Sequence, residues 1–151
     1  MSNEVKKEIE TFISRMGFGE LIEGIDIHQG TASRFCVRLK GEANMLIGER
    51  GSNLQAIEQL VKKIIRKKYQ NEDQFTLDVN DYRLKKLEDL KQDVKTAAKE
   101  VRVYKRKASL RPMSSFERRI VHLLLAEYPD LVTESVGEEP ERKVIVKPYQ
   151  E

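Results

Sequence analysis

The chain has 151 residues, 39% hydrophobic and 35% charged, with a formal net charge of +3; that suffices for one or two modest cores and is too balanced for net charge to name a partner. No run approaches the roughly 18 apolar residues of a membrane-spanning helix, and the amphipathic start MSNEVKKEIETFISRMGF has no signal-peptide apolar block. The lone Cys36 cannot close an internal disulfide, and with two scattered histidines it gives no metal-ligand spacing, so a reducing, cytoplasmic setting without cofactor or metal is expected.

Val5, Ile9, Phe12, Ile13 and Met16 recur at helical spacing over residues 4–16, and Gly17 and Gly19 end that helix. LIEGIDIH and RFCVRLK then alternate, with Ile25 and Ile27 sharing one face of the first and Phe35, Val37 and Leu39 one face of the second. The QGTAS between them predicts an antiparallel hairpin. A short apolar segment, ANMLI, leads to Gly48 and Gly51. Ser52 or Asn53 is placed to cap the next helix, whose apolar stripe is Leu54, Ile57, Val61, Ile64 and Ile65. Lys62, Lys63, Arg66, Lys67 and Lys68 lie largely off that stripe. QFTLDVN alternates again, with Phe75, Leu77 and Val79 on one face, giving the order α-β-β-α-turn-α-β over residues 4–80.

Beyond residue 80 the character changes. From Arg83 to Arg111 there are eleven basic and four acidic residues. Leu84, Leu87, Leu90, Val94, Ala97, Val101, Tyr104 and Ala108 form a narrow seam, which predicts one long helix capped by Asn80 or Asp81 and extending about 37 Å at 1.5 Å per residue. Such a seam packs either along an edge of its own domain or against a partner helix, as in a coiled coil. The rest, LRPMSSFERRIVHLLLAEYPDLVTESVGEEPERKVIVKP, reads as strand, helix, strand, turn, strand, with Ser114 and Glu117 in the pattern of a capping box. Two units follow, residues 1–80 and residues 81–151, the second opening with the basic helix.

Gly48-Glu49-Arg50-Gly51 just ahead of a capped helix joins two features. Glycine admits positive φ and a close backbone approach, and a helix N-terminus offers unpaired N–H groups and partial positive charge. Together they suit a phosphodiester backbone. Glu49 offsets Arg50, so Lys62, Lys63 and Arg66 are expected to add charge. The glycine loop behind a strand hairpin resembles the KH fold, in which such a loop clamps about four nucleotides of a single strand. The leading helix and final strand resemble its type II arrangement, so an α+β type II-like KH domain, a three-stranded sheet packed by helices, is implied.

In FERRIVH, Arg118 and His122 are four residues apart and fall on one side of a helix. Phe116, Ile120, Leu123 and Leu124 are expected to face the core, leaving Arg118, Arg119 and His122 to solvent at little cost to stability. No nucleophile, carboxylate pair or metal cluster accompanies them, so catalysis is not expected. Arg, three residues and His in a helix flanked by short strands resembles the R-3-H domain, which is associated with single-stranded nucleic acid. The two motifs in this order resemble the Jag (KhpB) family of bacterial proteins, over nearly all of residues 20–148. That resemblance implies cytoplasmic binding of single-stranded RNA, a role as post-transcriptional regulator or RNA chaperone in cell-wall and cell-shape control, and pairing with a small single-KH protein or self-association. It also implies a separate N-terminal domain that this chain is expected to lack. Single-stranded DNA binding, or a protein–protein adaptor using the seam over residues 83–108, are the alternatives.

Overall fold

The computed structural model describes residues 1–41, 43–72 and 74–150. The chain divides into two units, residues 1–84 and 85–151, and the division falls in the first turn of a helix. Among the described residues no helix is long and apolar enough to cross a membrane.

In the first unit, α1 (Ser2–Ile13) buries Val5, Ile9 and Ile13, spaced four apart on one stripe. After two short turns come β1 (Ile22–His28) and β2 (Ser33–Leu39), an antiparallel pair with Ile25 opposite Val37 and Ile27 opposite Phe35. The third strand, β3 (Phe75–Val79), runs parallel to β2, which makes β2 central. A parallel neighbour cannot be reached through a tight hairpin. The crossover is supplied by α2 (Asn44–Ile47) and α3 (Ser52–Tyr69), whose Leu54, Ile57, Val61 and Ile65 join the α1 stripe and the sheet in one core. Buried Glu8 fastens α1 to α3, accepting hydrogen bonds from Lys68 Nζ at 2.7 Å and Tyr69 Oη at 3.0 Å. The Lys68 ammonium holds the Glu8 carboxyl below its usual range.

The long helix α4 (Tyr82–Tyr104) follows directly on Asn80 and Asp81. Asn80 Oδ1 accepts from the Leu39 N–H and Asp81 Oδ1 from Arg34. Asp78, buried at the end of β3, also serves the first turn: its Oδ1 accepts from the N–H of Arg83 at 3.0 Å. The helix also stops before the seam does: Lys105 turns left-handed at φ 54°, and Ala108 enters β4 (Ala108–Ser109) opposite Val146.

In the second unit the seam closes on its own domain. Leu90, Val94, Ala97 and Val101 of α4 share a core with Met113, Val121, Leu125, Val144 and Val146, while Leu84 and Tyr104 at the helix ends are exposed. The sheet has β6 (Lys143–Pro148) in the centre, antiparallel to β4 on one side and to β5 (Leu131–Val136) on the other. α5 (Ser115–Leu125) begins with both bonds of a capping box, Ser114 Oγ accepting from the Glu117 N–H and Glu117 Oε2 from the Ser114 N–H.

Candidate nucleic-acid interface

The glycine loop is built by backbone. Buried Leu46 anchors α2, and the N–H of Gly48 closes that turn on the Asn44 carbonyl at 2.8 Å. Gly48 (φ 72°, ψ 177°), Arg50 (φ 54°, ψ 27°) and Gly51 (φ 76°, ψ 17°) then all take positive φ. At Gly48 that combination is open essentially to glycine alone. A Cβ there would stand 2.6 Å from Asn53 Cγ. The side-chain cap expected from Ser52 or Asn53 is not made. Asn53 turns back and donates from Nδ2 to the Met45 carbonyl at 2.8 Å, binding the first turn of α3 to α2. The reason is geometric: Gly51 is the N-cap residue, in a left-handed conformation, and Ser52 already lies inside the helix. The start of α3 is thus a rigid turn, with Glu49 and Arg50 exposed beside an N-terminus that no side chain caps among the described residues.

The basic residues of α3 divide. Lys62 is engaged: its Nζ donates to Glu58 Oε1 at 2.9 Å and lies 5.5 Å from the centre of the Phe75 ring. Glu58 also accepts from the Leu77 N–H and from Arg83. Burial alone would push its carboxyl up, but the Leu77 amide, Lys62 and Arg83 outweigh it and hold the carboxyl below its usual range. Lys63 and Arg66 are exposed, Arg66 at 4.0 Å from Glu72. Ten to fourteen residues past Ser52, these three side chains sit about 15–21 Å along the helix from the loop. The structure therefore assembles Gly48 to Gly51 as one site and leaves the α3 basic residues apart from it.

On α5 the expected orientation holds in part: Ile120 and Leu124 pack against the core and Arg119 is exposed, but Arg118 is not. Arg118 is 8% exposed, on the same stripe as buried Val121 and Leu125, whereas Phe116 and Leu123 are 67% and 66% exposed. The helix turns Val121 and Leu125 inward with Ile120 and Leu124 beside them, and leaves Phe116 and Leu123 out. The stripe that packs carries an arginine because its charge is answered: Nη1 donates to the Met113 carbonyl at 2.7 Å and Nη2 lies 2.8 Å from Glu139 Oε1. His122 is half-buried and bridges to β5, with Nδ1 2.7 Å from Thr133 Oγ1 and Nε2 2.8 Å from Ser135 Oγ. Hydroxyls donate or accept as required, so both partners suit the neutral ring and the imidazolium.

Arg118, Arg119 and His122 nevertheless meet at the surface. With Ser115, Ser135, Leu123 and Arg142 they line a shallow concavity of about 370 Å³. Arg119 is exposed and forms no ion pair among the described residues; Arg142 reaches in from the β5–β6 turn, its Nη1 donating to the Gly137 carbonyl at 2.9 Å. Ser135 and Arg142 were missed because strand pairing, not sequence distance, brings them to α5. Phe116 and Leu123 flank Arg119 at i−3 and i+4, an apolar border suited to a base beside a cation suited to a phosphate. Among the described residues no three His, Cys, Asp or Glu side chains are placed to hold a metal ion.

Residues 85–148 match the R-3-H domain family. The helix with its Arg–x–x–x–His spacing and the three-stranded sheet behind it are that domain. Over 117 residues the chain is 38% identical to the RNA-binding protein KhpB of Clostridium symbiosum, covering 77% of this chain and 53% of that one. The RNA-binding protein KhpB of Bacillus subtilis is 36% identical over 110 residues, 70% of this chain and 51% of its own. That of Lactiplantibacillus plantarum is 33% identical over 102 residues, with 68% and 32% covered. Alignments of this length reach past the R-3-H domain into the first unit. The chain is similar to the KhpB/Jag proteins over most of its length, and it spans about half or less of the length of these curated relatives.

Proposed function

We propose that this chain binds single-stranded RNA, without chemistry of its own, through two sites: the Gly48–Gly51 loop of a KH-type domain over residues 1–80 and the α5 concavity of an R-3-H domain over residues 81–151. The observation that carries the reading is the convergence of Arg118, Arg119, His122 and Arg142 on one concavity in a matched R-3-H domain. Supporting the KH assignment are the α-β-β-α-α-β order, the parallel β2–β3 pair and three positive-φ residues in the loop. The relatives are named RNA-binding proteins, which supports RNA as the ligand. Two weak sites on one chain gain avidity when a single strand reaches both. The wider role proposed is cytoplasmic, as an RNA chaperone or post-transcriptional regulator linked to cell-wall and cell-shape control, in company with a small single-KH protein.

Fluorescence anisotropy with labelled oligouridine tests it. At about −0.7 per phosphate contact, three to six contacts give a log–log salt slope of roughly −2 to −4. Replacing Glu49 and Arg50 by aspartates, or Arg119→Glu, should weaken binding with melting temperature unchanged, and unlabelled single-stranded DNA and duplex RNA should compete less well than unlabelled oligouridine. Absence of binding by the parent at low salt, or a slope near zero, defeats the reading.

A further inference from the structure

One face of the R-3-H sheet packs on α4 and α5. Val144 and Val146 point into the core with α4 and α5, and Thr133 and Ser135 reach His122 on the same side. Side chains alternate along a strand, so Val132, Glu134, Ile145 and Lys147 stand on the opposite face. The register sets Val132 against Lys147 and Glu134 against Ile145. It also sets Ala108 against Val146, which brings Lys107 into the row of Lys147.

At one end of that face is a second concavity of about 360 Å³, lined by Lys105, Lys107, Val132, Lys147, Pro148 and Gln150. Tyr149, between two lining residues in the chain, is 59% exposed. Lys105 and Lys107 form no ion pair among the described residues, and Lys147 has one acidic partner, Glu134. Lys147, and after it Lys107, hold the Glu134 carboxyl below its usual range. The α5 concavity, by contrast, has Arg118 already answered by Glu139.

We infer that this open face is a further contact surface for single-stranded RNA, with backbone phosphates on Lys105, Lys107 and Lys147 and a base stacked on Tyr149. The inference rests on the proposed RNA binding and adds a site that the glycine loop and the R-3-H motif do not contain. Charge complementarity selects the occupant. Three lysines around one small apolar patch suit a polyanion, whereas the core of a protein–protein interface is depleted in lysine. An exposed tyrosine beside a basic groove is the arrangement that holds single strands without reading their sequence.

The test uses the whole chain and labelled oligouridine across a potassium chloride series. The triple variant Lys105→Gln, Lys107→Gln, Lys147→Gln should lose about tenfold in affinity at low salt and flatten the salt slope by roughly 2, three contacts at about 0.7 each. Tyr149→Ala should weaken binding about fivefold and Tyr149→Phe should not, as expected for loss of one stacked base. If the parent binds and these variants bind equally well with the same slope, the open face is not an RNA surface, while the glycine loop and α5 sites stand. If the parent itself does not bind, the RNA reading falls as a whole. Should the triple variant melt early, photocrosslinking of the parent to 4-thiouridine RNA decides: adducts on Tyr149 or its neighbours support the inference, and adducts confined to residues 48–53 and 115–123 overturn it.

Discussion

The two proposed sites, the glycine loop and the α5 concavity, are built in opposite ways. In the loop the backbone is the instrument: Gly48 and Gly51 keep side chains out, and the helix start offers its N–H groups. On α5 the side chains are the instrument, and two of them also carry structure, Arg118 by its bonds to Met113 and Glu139 and His122 by its bridge to β5. A site made of backbone separates binding from side-chain packing. A site made of half-buried side chains couples them, so substitutions in the two places should fail differently.

The largest effect is expected at Arg118. Arg118→Ala leaves the buried Met113 carbonyl without its donor and should cost about 2–3 kcal/mol, with melting of the R-3-H unit lowered by roughly 10 °C or more. Arg118→Lys should not restore it, since one ammonium cannot span the two acceptors of the fork. An unchanged melting temperature for Arg118→Ala would return this arginine to the surface role its sequence suggests. Next is Gly48→Ala, where a Cβ 2.6 Å from Asn53 Cγ in a positive-φ conformation should cost roughly 2 kcal/mol. Here binding should fall further than stability, because the loop has to move to admit the Cβ; equal affinity would show that the loop is only a turn. His122→Ala comes third, at about 1 kcal/mol for two hydroxyls that water can partly satisfy. A melting temperature that does not change would mean the Thr133 and Ser135 contacts hold nothing together.

The smallest effect concerns pH. The Glu58 carboxyl is held below its ordinary value near 4.5 in the folded state. Its contribution is therefore present above that value and is lost as pH falls through the lower folded one. Thermal melts of the parent across this acid range should show that loss, and Glu58→Gln should show less of it while melting lower at neutral pH. Parallel pH profiles for the two proteins would exclude Glu58 as a source of acid sensitivity.

What could be read from the sequence was whatever depended on local spacing. The strand alternation gave the antiparallel hairpin and the faces shared by Ile25 with Ile27 and by Phe35 with Val37, and Ser114 with Glu117 gave the capping box. The α4 seam was legible, though neither which of two surfaces it covers nor its end was, since Lys105 shows no breaker residue at its left-handed turn. What stayed hidden depended on distant partners. Arg118 counts as a surface residue until Glu139 and the Met113 carbonyl are placed beside it. Asp78 accepts from the Arg83 N–H in the first turn of α4 only because β3 delivers it there. Lys62 counts as a free cation until Glu58, one turn back, is seen to collect it together with Arg83 and the Leu77 amide.

The last of those contacts bears on where the chain can be cut. Tyr82 packs on the first core, and Arg83 answers both Glu58, through its side chain, and Asp78, through its N–H. A fragment ended at residue 80, where composition changes, would strip two carboxylates of a shared partner and uncover the apolar surface under Tyr82. One ended at Leu84 keeps all three contacts. The shorter fragment should melt lower, and its Leu77 amide should exchange with deuterium sooner than in the longer one; identical exchange would show that the first turn of α4 gives the first unit nothing.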